Sequence, residues 1–470
     1  MSGVQSAGRL ARLGACADSL LFAARPCAGL RVALLALSLL SCRSQPKNDA
    51  PGPAPAVSAA SKGRVVTCRE TSGSQVVVLG TGEPPQELEE DGEVGQELPF
   101  SVELGAARPG RGRFGVAGLE NRRGATFAFA AIVAGDGTGQ AIELLRVFGD
   151  AEPPAVRAFE DGYLIAAAST DAAGPTLRLM RIDPPFSGRD VRRGEEVTGL
   201  RRDVSGFSLE TAARRALLAF GKLEKGLGRV VVAAVDPASL TLIGAPRTIE
   251  LENGLEAEAP QLVARQGGFY LAFVGRRTGA LRLSAPALAP DADADAEAPV
   301  LESGPTALYV MPLDDAGVAV GSAREVSAPG AHVSAFEALP WGETQALLVY
   351  REDPQVPGLE RPSAEAVLAS ADGSVMRRTW ELGETSGLPS VLIDRARPDG
   401  APPGWVLVHG DAEVRIGALS DDPLVPPVFV SDPVLRSSEP AALHAGNLLR
   451  ARRRGLKIEL DLVACELSAR

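Results

Sequence analysis

Aromatic side chains are scarce. Trp, Tyr and Phe make up 4% of the 470 residues, with three Trp and four Tyr, whereas surfaces that stack sugar rings or bases draw much of their binding energy from such groups. That weighs against glycan and single-strand binding. Histidine is scarcer still, at three in the chain, so a three-histidine metal centre would need His332, His409 and His444 to converge. Positive charge is in deficit: the formal net charge is −11. Residues 1–41 carry Arg9, Arg12, Arg25 and Arg31 against Asp18 alone, so the remainder is more acidic still, and no nucleic-acid partner is expected. Long apolar runs are missing as well. The run Val32–Leu40 is far short of the ~20 residues needed to cross a bilayer about 30 Å thick, but it suits the core of a signal peptide.

What is present is ample apolar content, 45%, enough to build a core in a chain of this length. Gly at 51 and Pro at 36 fall below the fraction that marks low complexity, yet suffice to punctuate many short elements. Many turns and strands are therefore expected, and no helical stretch longer than three turns.

The apolar run follows Arg25 and Arg31 and ends at Leu39-Leu40-Ser41-Cys42, after which a polar, Pro- and Ala-rich tract continues to about Ser61. The quartet resembles the bacterial lipobox, with Leu40 where that family more often has a smaller side chain. The resemblance implies that residues 1–41 are removed, that Cys42 carries lipid, and that residues 42–62 act as a flexible tether holding a folded domain, 63–470, off the membrane surface. An ordinary cleaved signal and an uncleaved anchor are the other readings. The first 24 residues form a long prelude, which sets the expected start downstream of Met1. Cys16 and Cys27 fall in the removed segment, so Cys68 and Cys465 alone remain in the folded part. Both lie in strand-like sequence near opposite ends, and an oxidising compartment invites a disulfide between them. The chain-entropy model values such a clamp at somewhat above ~4 kcal/mol. Two buried free thiols are the alternative.

Residues 64–470 repeat a pattern of apolar strand, short Gly-containing or charged break, second apolar strand and polar turn. It runs through Ala125–Ile132 with Ala141–Phe148, Gly162–Ala168 with Leu177–Ile182, and Ala216–Gly221 with Arg229–Val235. Gly268–Val274 with Ala307–Leu313, Thr344–Tyr350 with Ala364–Ser370, Gly404–His409 with Ala412–Leu419, and Asn447–Arg450 with Lys457–Ala464 continue it. The second strand often closes on Asp, at Asp183, Asp236, Asp314, Asp372 and Asp421, a residue that satisfies turn backbone. Further alternating segments flank several pairs, including Pro260-Gln-Leu-Val-Ala-Arg-Gln-Gly, Val333-Ser-Ala-Phe-Glu-Ala and Val391-Leu-Ile-Asp. The pattern is similar to the blades of β-propellers generally. It predicts an all-β, seven-bladed ring, with six to eight blades open and a pair of β-sandwiches as the other architecture. The last unit lacks a fourth strand, and Gly63–Arg69 and Gln75–Gly80 are unpaired strands that would close it. Residues 83–103 and 285–305 are expected to be disordered insertions.

Several motifs carry chemistry only by letter. Asp291, Asp293, Asp295 and Glu302 match calcium-loop positions, but Ala296 replaces the turn glycine, Pro299 stiffens the loop, and no helices flank it. Gly110-Arg-Gly112-Arg-Phe-Gly115 spells a dinucleotide fingerprint without the following helix, and reads as a turn. Ser370-Ala-Asp372-Gly-Ser-Val-Met-Arg-Arg-Thr-Trp380 is similar to the Asp-box of sialidases, with Gly early and Trp late, and in that family the box is structural. Arg452–Arg454 reads as a solvated turn. No metal, cofactor or catalytic set is assigned. The expected role is a non-enzymatic lipoprotein of the bacterial envelope, in the periplasm or on the cell surface, that meets the membrane through its lipid and a protein partner through its loops. A propeller hydrolase acting on glycans or peptides is the alternative, which an axial cluster of inward arginines and carboxylates would favour.

Overall fold

The apolar runs are too short for helices and are cut by Gly, Asp or Pro at the turns, so each pairs with its neighbour in sequence. The computed structural model describes residues 64–469 apart from 71–74, 79–99, 198–205, 284–300, 355–361, 371–374, 433–440 and shorter stretches. Among the described residues the helical content is a single 3-10 turn, Gly188–Asp190.

Among the described residues, seven antiparallel sheets of four or five strands follow one another in chain order. Blade 1 is Phe100–Gly110, Arg113–Arg122, Ala125–Ala134 and Gly139–Val147. Blade 2 is Ala155–Phe159, Gly162–Asp171, Gly174–Ile182 and Val191–Val197. Blade 3 is Phe207–Ala212, Arg215–Glu224 and Leu227–Asp236, with Thr241–Leu242 and Arg247–Thr248 both on its last long strand. Blade 4 is Leu255–Arg265, Gly268–Arg277, Thr306–Leu313 and Arg324–Glu325; blade 5 is Val333–Trp341, Gln345–Glu352, Ser363–Ala369 and Val375–Glu384. Blade 6 is Ser390–Ile393, Gly404–His409, Val414–Ala418 and Phe429–Asp432. Blade 7 is Ala441–His444, Asn447–Arg454 and Lys457–Ala469, completed by Arg64–Glu70 from the other end of the chain. The first strand of each blade touches the first strand of the next, and that of blade 7 touches that of blade 1, so the ring is closed.

The core is divided in the same way. Seven apolar clusters occupy the seven blade interfaces, including one that joins Leu449 and Leu462 of blade 7 to Phe114 and Phe129 of blade 1. A strand's side chains alternate between faces, and here both faces are covered. Phe129, Ala131 and Val133 pack towards blade 7, while Ala128, Ala130 and Ile132, on the same strand, pack towards blade 2. Trp405 and Leu407 likewise face blade 7, and Val406 and Val408 face blade 5. The second and third strands therefore read as unbroken apolar runs such as Phe269–Val274, without period-two alternation, because neither face meets water.

Closure is as expected. Arg64–Glu70 pairs with Lys457–Ala469, and Gln75–Val78 pairs with the same strand nearer its start. Cys68 stands directly opposite Cys465 in that register, with Cα atoms 4.1 Å apart, and the two are bonded. Such closely spaced pairs are the non-hydrogen-bonded positions of an antiparallel ladder. Both cysteines are buried in the interface with blade 6.

Three expectations need correction. Phe100–Glu103, assigned above to a disordered insertion, open the first strand of blade 1, because Phe100, Val102 and Leu104 alternate with polar residues across from Arg122–Gly118. Leu301–Glu302, in the second insertion, form a two-residue ladder with Arg282–Leu283. Arg452–Arg454 are not a turn: their pairing with Lys457–Glu459 prolongs the blade 7 hairpin. Of the turn aspartates, Asp236 accepts from the amides of Ala238 and Ser239, and Asp314 from those of Ala316 and Val318. Asp183 instead takes Arg181 and Arg192 as ion-pair partners, and Asp421 takes Arg397.

Gly110-Arg-Gly112-Arg-Phe-Gly115 is a hairpin turn in blade 1, with Gly112 at φ 64°. Its other two glycines make room for the ring of Tyr163 from blade 2: a Cβ on Gly115 would lie 2.6 Å from Tyr163 Cε1, and one on Gly110 would lie 2.5 Å from its hydroxyl oxygen. The ring is rigid and fully buried, so Gly115→Ala is expected to cost about 1–3 kcal/mol through overpacking, read as a lower denaturant midpoint. Tyr163→Phe should be neutral or slightly stabilising, because the hydroxyl is buried without a hydrogen-bond partner among the described residues. A large loss in Tyr163→Phe would contradict this packing.

Candidate functional site

The first strands of the blades surround the axis, and their polar residues sit at matched levels. Arg108, Arg157 and Glu210 each lie two residues before the hairpin pair that ends their strand: Gly110 with Arg113, Phe159 with Gly162, and Ala212 with Arg215. Gln261 and Glu337 lie four residues before theirs, Arg265 with Gly268 and Trp341 with Gln345, and so one side-chain pair deeper on the same face. Bulges precede three of them, between Leu104 and Ala107, Glu258 and Gln261, and Val333 and Ala335. A bulge re-aims the side chains that follow it.

These residues contact one another across blades. Arg157 Nε donates to Glu210 Oε2 at 3.0 Å, with side chains 14% and 16% exposed. Glu210 Oε1 accepts from the Thr211 amide at 3.0 Å, and the Thr211 hydroxyl donates to Ala158 O at 3.1 Å. Arg108 Nη1 is 3.7 Å from Glu337 Oε1, and Glu337 Oε2 accepts from the Val391 amide of blade 6 at 3.3 Å. Gln261 clamps the peptides on either side of Glu337, donating to Phe336 O at 2.8 Å and accepting from the Ala338 amide at 2.9 Å. Two ion pairs and their hydrogen bonds thus tie residues of blades 1 to 6 together around the axis.

Burial governs its electrostatics. The Arg108 guanidinium is pulled down to about 10, first by desolvation and then by the neighbouring Arg157, against which Glu337 and Glu210 act. Desolvation pushes the Glu337 carboxyl up, opposed by Arg108, the Val391 amide and Arg157. Both shifts have one cause: little water reaches these charges. Beside them lies a cavity of about 170 Å³ whose wall includes Arg108, Arg157, Glu210, Leu339, Ile393 and Leu443.

The histidines do not meet. His332 precedes blade 5 and its Nδ1 is 3.2 Å from the Thr306 hydroxyl; His409 is in blade 6; His444 is in blade 7, edge-on to Phe114. Among the described residues no group of His, Cys, Asp or Glu is arranged to hold a metal ion. His409 is buried, and desolvation holds its imidazole below the ordinary value. The folded state therefore prefers the neutral ring, so its stability is intact above about 6.5 and falls as pH drops from there through the lower folded value. Between pH 7 and 5 the wild type should lose more stability than His409→Gln. Parallel losses in the two proteins would remove His409 as the cause.

Cys42, Asp291, Asp293, Asp295 and Asp372 lie outside the described residues. Sequence reasoning reached the Cys68–Cys465 pair but missed Arg108, Arg157 and Glu210. The one available signal was a charged residue at a fixed offset before a hairpin in three successive blades.

No known protein family matches the sequence, and no curated protein does. Solved structures similar to it include the polysaccharide lyase Uly1, at TM-score 0.48 and 11% identity, covering 85% of this chain and 99% of that one. The β-propeller domain of the Trilobed protease from Pyrococcus furiosus, with an open velcro topology, matches at TM-score 0.40 and 10% identity over 78% of this chain and 95% of its own. An alpha-L-arabinanase of Penicillium chrysogenum complexed with arabinobiose matches at TM-score 0.40 and 13% identity, over 66% and 92%. These likenesses assign no activity. By its own sheet order the chain is a seven-bladed β-propeller with a disulfide-clamped closing blade and a paired arginine and carboxylate cluster on its axis.

Proposed function

We propose that this protein is a lipid-anchored propeller of the bacterial envelope, attached through Cys42, that works outside the cytoplasm as a binding and scaffolding module for a protein partner. The Cys68–Cys465 bond supports the location, since disulfides persist in oxidising compartments. The observation that carries the non-enzymatic reading is the state of the axial charges. Glu210 is held by Arg157 and the Thr211 amide, and Glu337 by the Val391 amide with Arg108 near by, so both carboxylates are occupied in stabilising the ring. The loops between blades are what remains to present to a partner. Cross-linking of the full-length protein in its native envelope, followed by identification of adducts, tests this. One recurrent protein joined through loop residues supports the scaffold, and an uncross-linked protein at saturating reagent argues against it.

A hydrolase is the second reading, because Glu210 and Glu337 converge on one axis from different blades and glycoside hydrolysis uses two carboxylates of unequal acidity. Desolvation raises Glu337, and Glu210 is ion-paired with Arg157. Turnover of any extracytoplasmic glycan or peptide that disappears in Glu337→Gln, with the fold retained, would establish it over the scaffold.

A further inference from the structure

The axial cavity contains donors that the fold does not use. Among the described residues, Arg108 makes one hydrogen bond, from Nη1 to the carbonyl of its neighbour Ala107 at 3.2 Å, and its ionic partner Glu337 stands off at 3.7 Å. Arg157 spends Nε on Glu210 and Nη1 on Val156 O, at 2.8 Å, leaving Nη2. The two guanidinium groups come from adjacent first strands at the same level, and they are near enough to repel each other. Two half-used guanidinium groups facing one space form a fork for a planar anion, the geometry arginine recognises best. Glu210, held by Arg157, and Thr211 also line the cavity; the remainder of the wall is apolar and lacks aromatic rings, with Leu339, Ile393 and Leu443 among its residues, which suits an aliphatic body better than a stacked sugar. The volume of about 170 Å³ is close to that of a cavity that takes up benzene, or roughly half a dozen heavy atoms.

We propose that this cavity binds a small aliphatic carboxylate, with Arg108 and Arg157 donating to its carboxylate and Leu339, Ile393 and Leu443 packing on its hydrocarbon chain. The site is separate from the loops and does not depend on the scaffold reading. The ligand anion relieves the repulsion between the two arginines, and its chain displaces water from an apolar wall.

The test is an NMR titration of the purified full-length chain with butyrate, pentanoate and hexanoate, and with pentanamide as the uncharged control. Pentanoate is expected to bind saturably, and pentanamide more weakly by a factor on the order of ten or more, the usual value of a charge-assisted hydrogen bond. Arg108→Met should weaken pentanoate by a similar factor. Because that change leaves Glu337 without its partner and can unfold the ring, Leu339→Phe provides a second measurement: it fills the cavity without touching a charge, and should also abolish binding. Failure of all three acids to bind overturns the proposal. So do equal affinity for acid and amide, and undiminished binding in a folded Leu339→Phe or Arg108→Met protein.

Discussion

Replacing both cysteines, Cys68→Ala with Cys465→Ala, is expected to cost about 2–5 kcal/mol of stability. The bond joins residues 397 positions apart, so its loss frees nearly the whole propeller in the unfolded chain. It also releases the strand Arg64–Glu70, whose departure would bare the edge of Lys457–Ala469 and invite pairing between molecules. Guanidinium unfolding followed by fluorescence measures the first effect, and light scattering near the midpoint measures the second. Reductant should lower the wild-type midpoint to that of the double variant and leave the variant unmoved. If the midpoints of wild type and variant coincide without reductant, strand pairing alone closes the ring.

Arg450→Met is expected to destabilise the same blade by about 3–5 kcal/mol. Arg450 and Asp461 are directly opposite in the hairpin, joined at 2.8 Å, and only 4% and 2% exposed. By strand alternation they share the face on which Leu448, Val463 and Cys465 pack against blade 6. Removing the guanidinium takes the 2.8 Å ion-pair partner from a buried carboxylate, which costs far more than the pair itself contributes. The double variant Arg450→Met with Asp461→Leu should therefore recover most of the loss. A double-mutant cycle reads this directly, and additive losses would show that the two residues do not act as a pair.

The ring and its closure were legible in the sequence because they rest on features that repeat. Each middle strand is an apolar run ended by a turn residue, and a last unit one strand short points to unpaired strands at the other end. What escaped has physical reasons. The opening strand of blade 1 follows an acidic stretch with Pro and Gly, so its start at Phe100 reads as loop until Arg113–Arg122 is seen beside it. Arg452–Arg454 read as a turn because charge marks solvent, yet the hairpin continues its ladder through them to Lys457. The axial cluster escaped for a different reason. Arg108, Arg157, Glu210 and Glu337 are single charges in short alternating strands, each indistinguishable from a solvated face until ring closure brings residues more than 200 apart into contact. Glycine acted in the opposite sense: the motif that spells a dinucleotide fingerprint uses Gly110 and Gly115 to seat Tyr163.

The most direct test of a disulfide-closed propeller tethered outside the cytoplasm is the intact mass of the protein extracted from membranes of its native host, taken with and without reductant. The expected mass begins at Cys42, carries acyl chains, and rises by two hydrogens on reduction. A mass that retains Leu39, lacks lipid or does not change on reduction would contradict it.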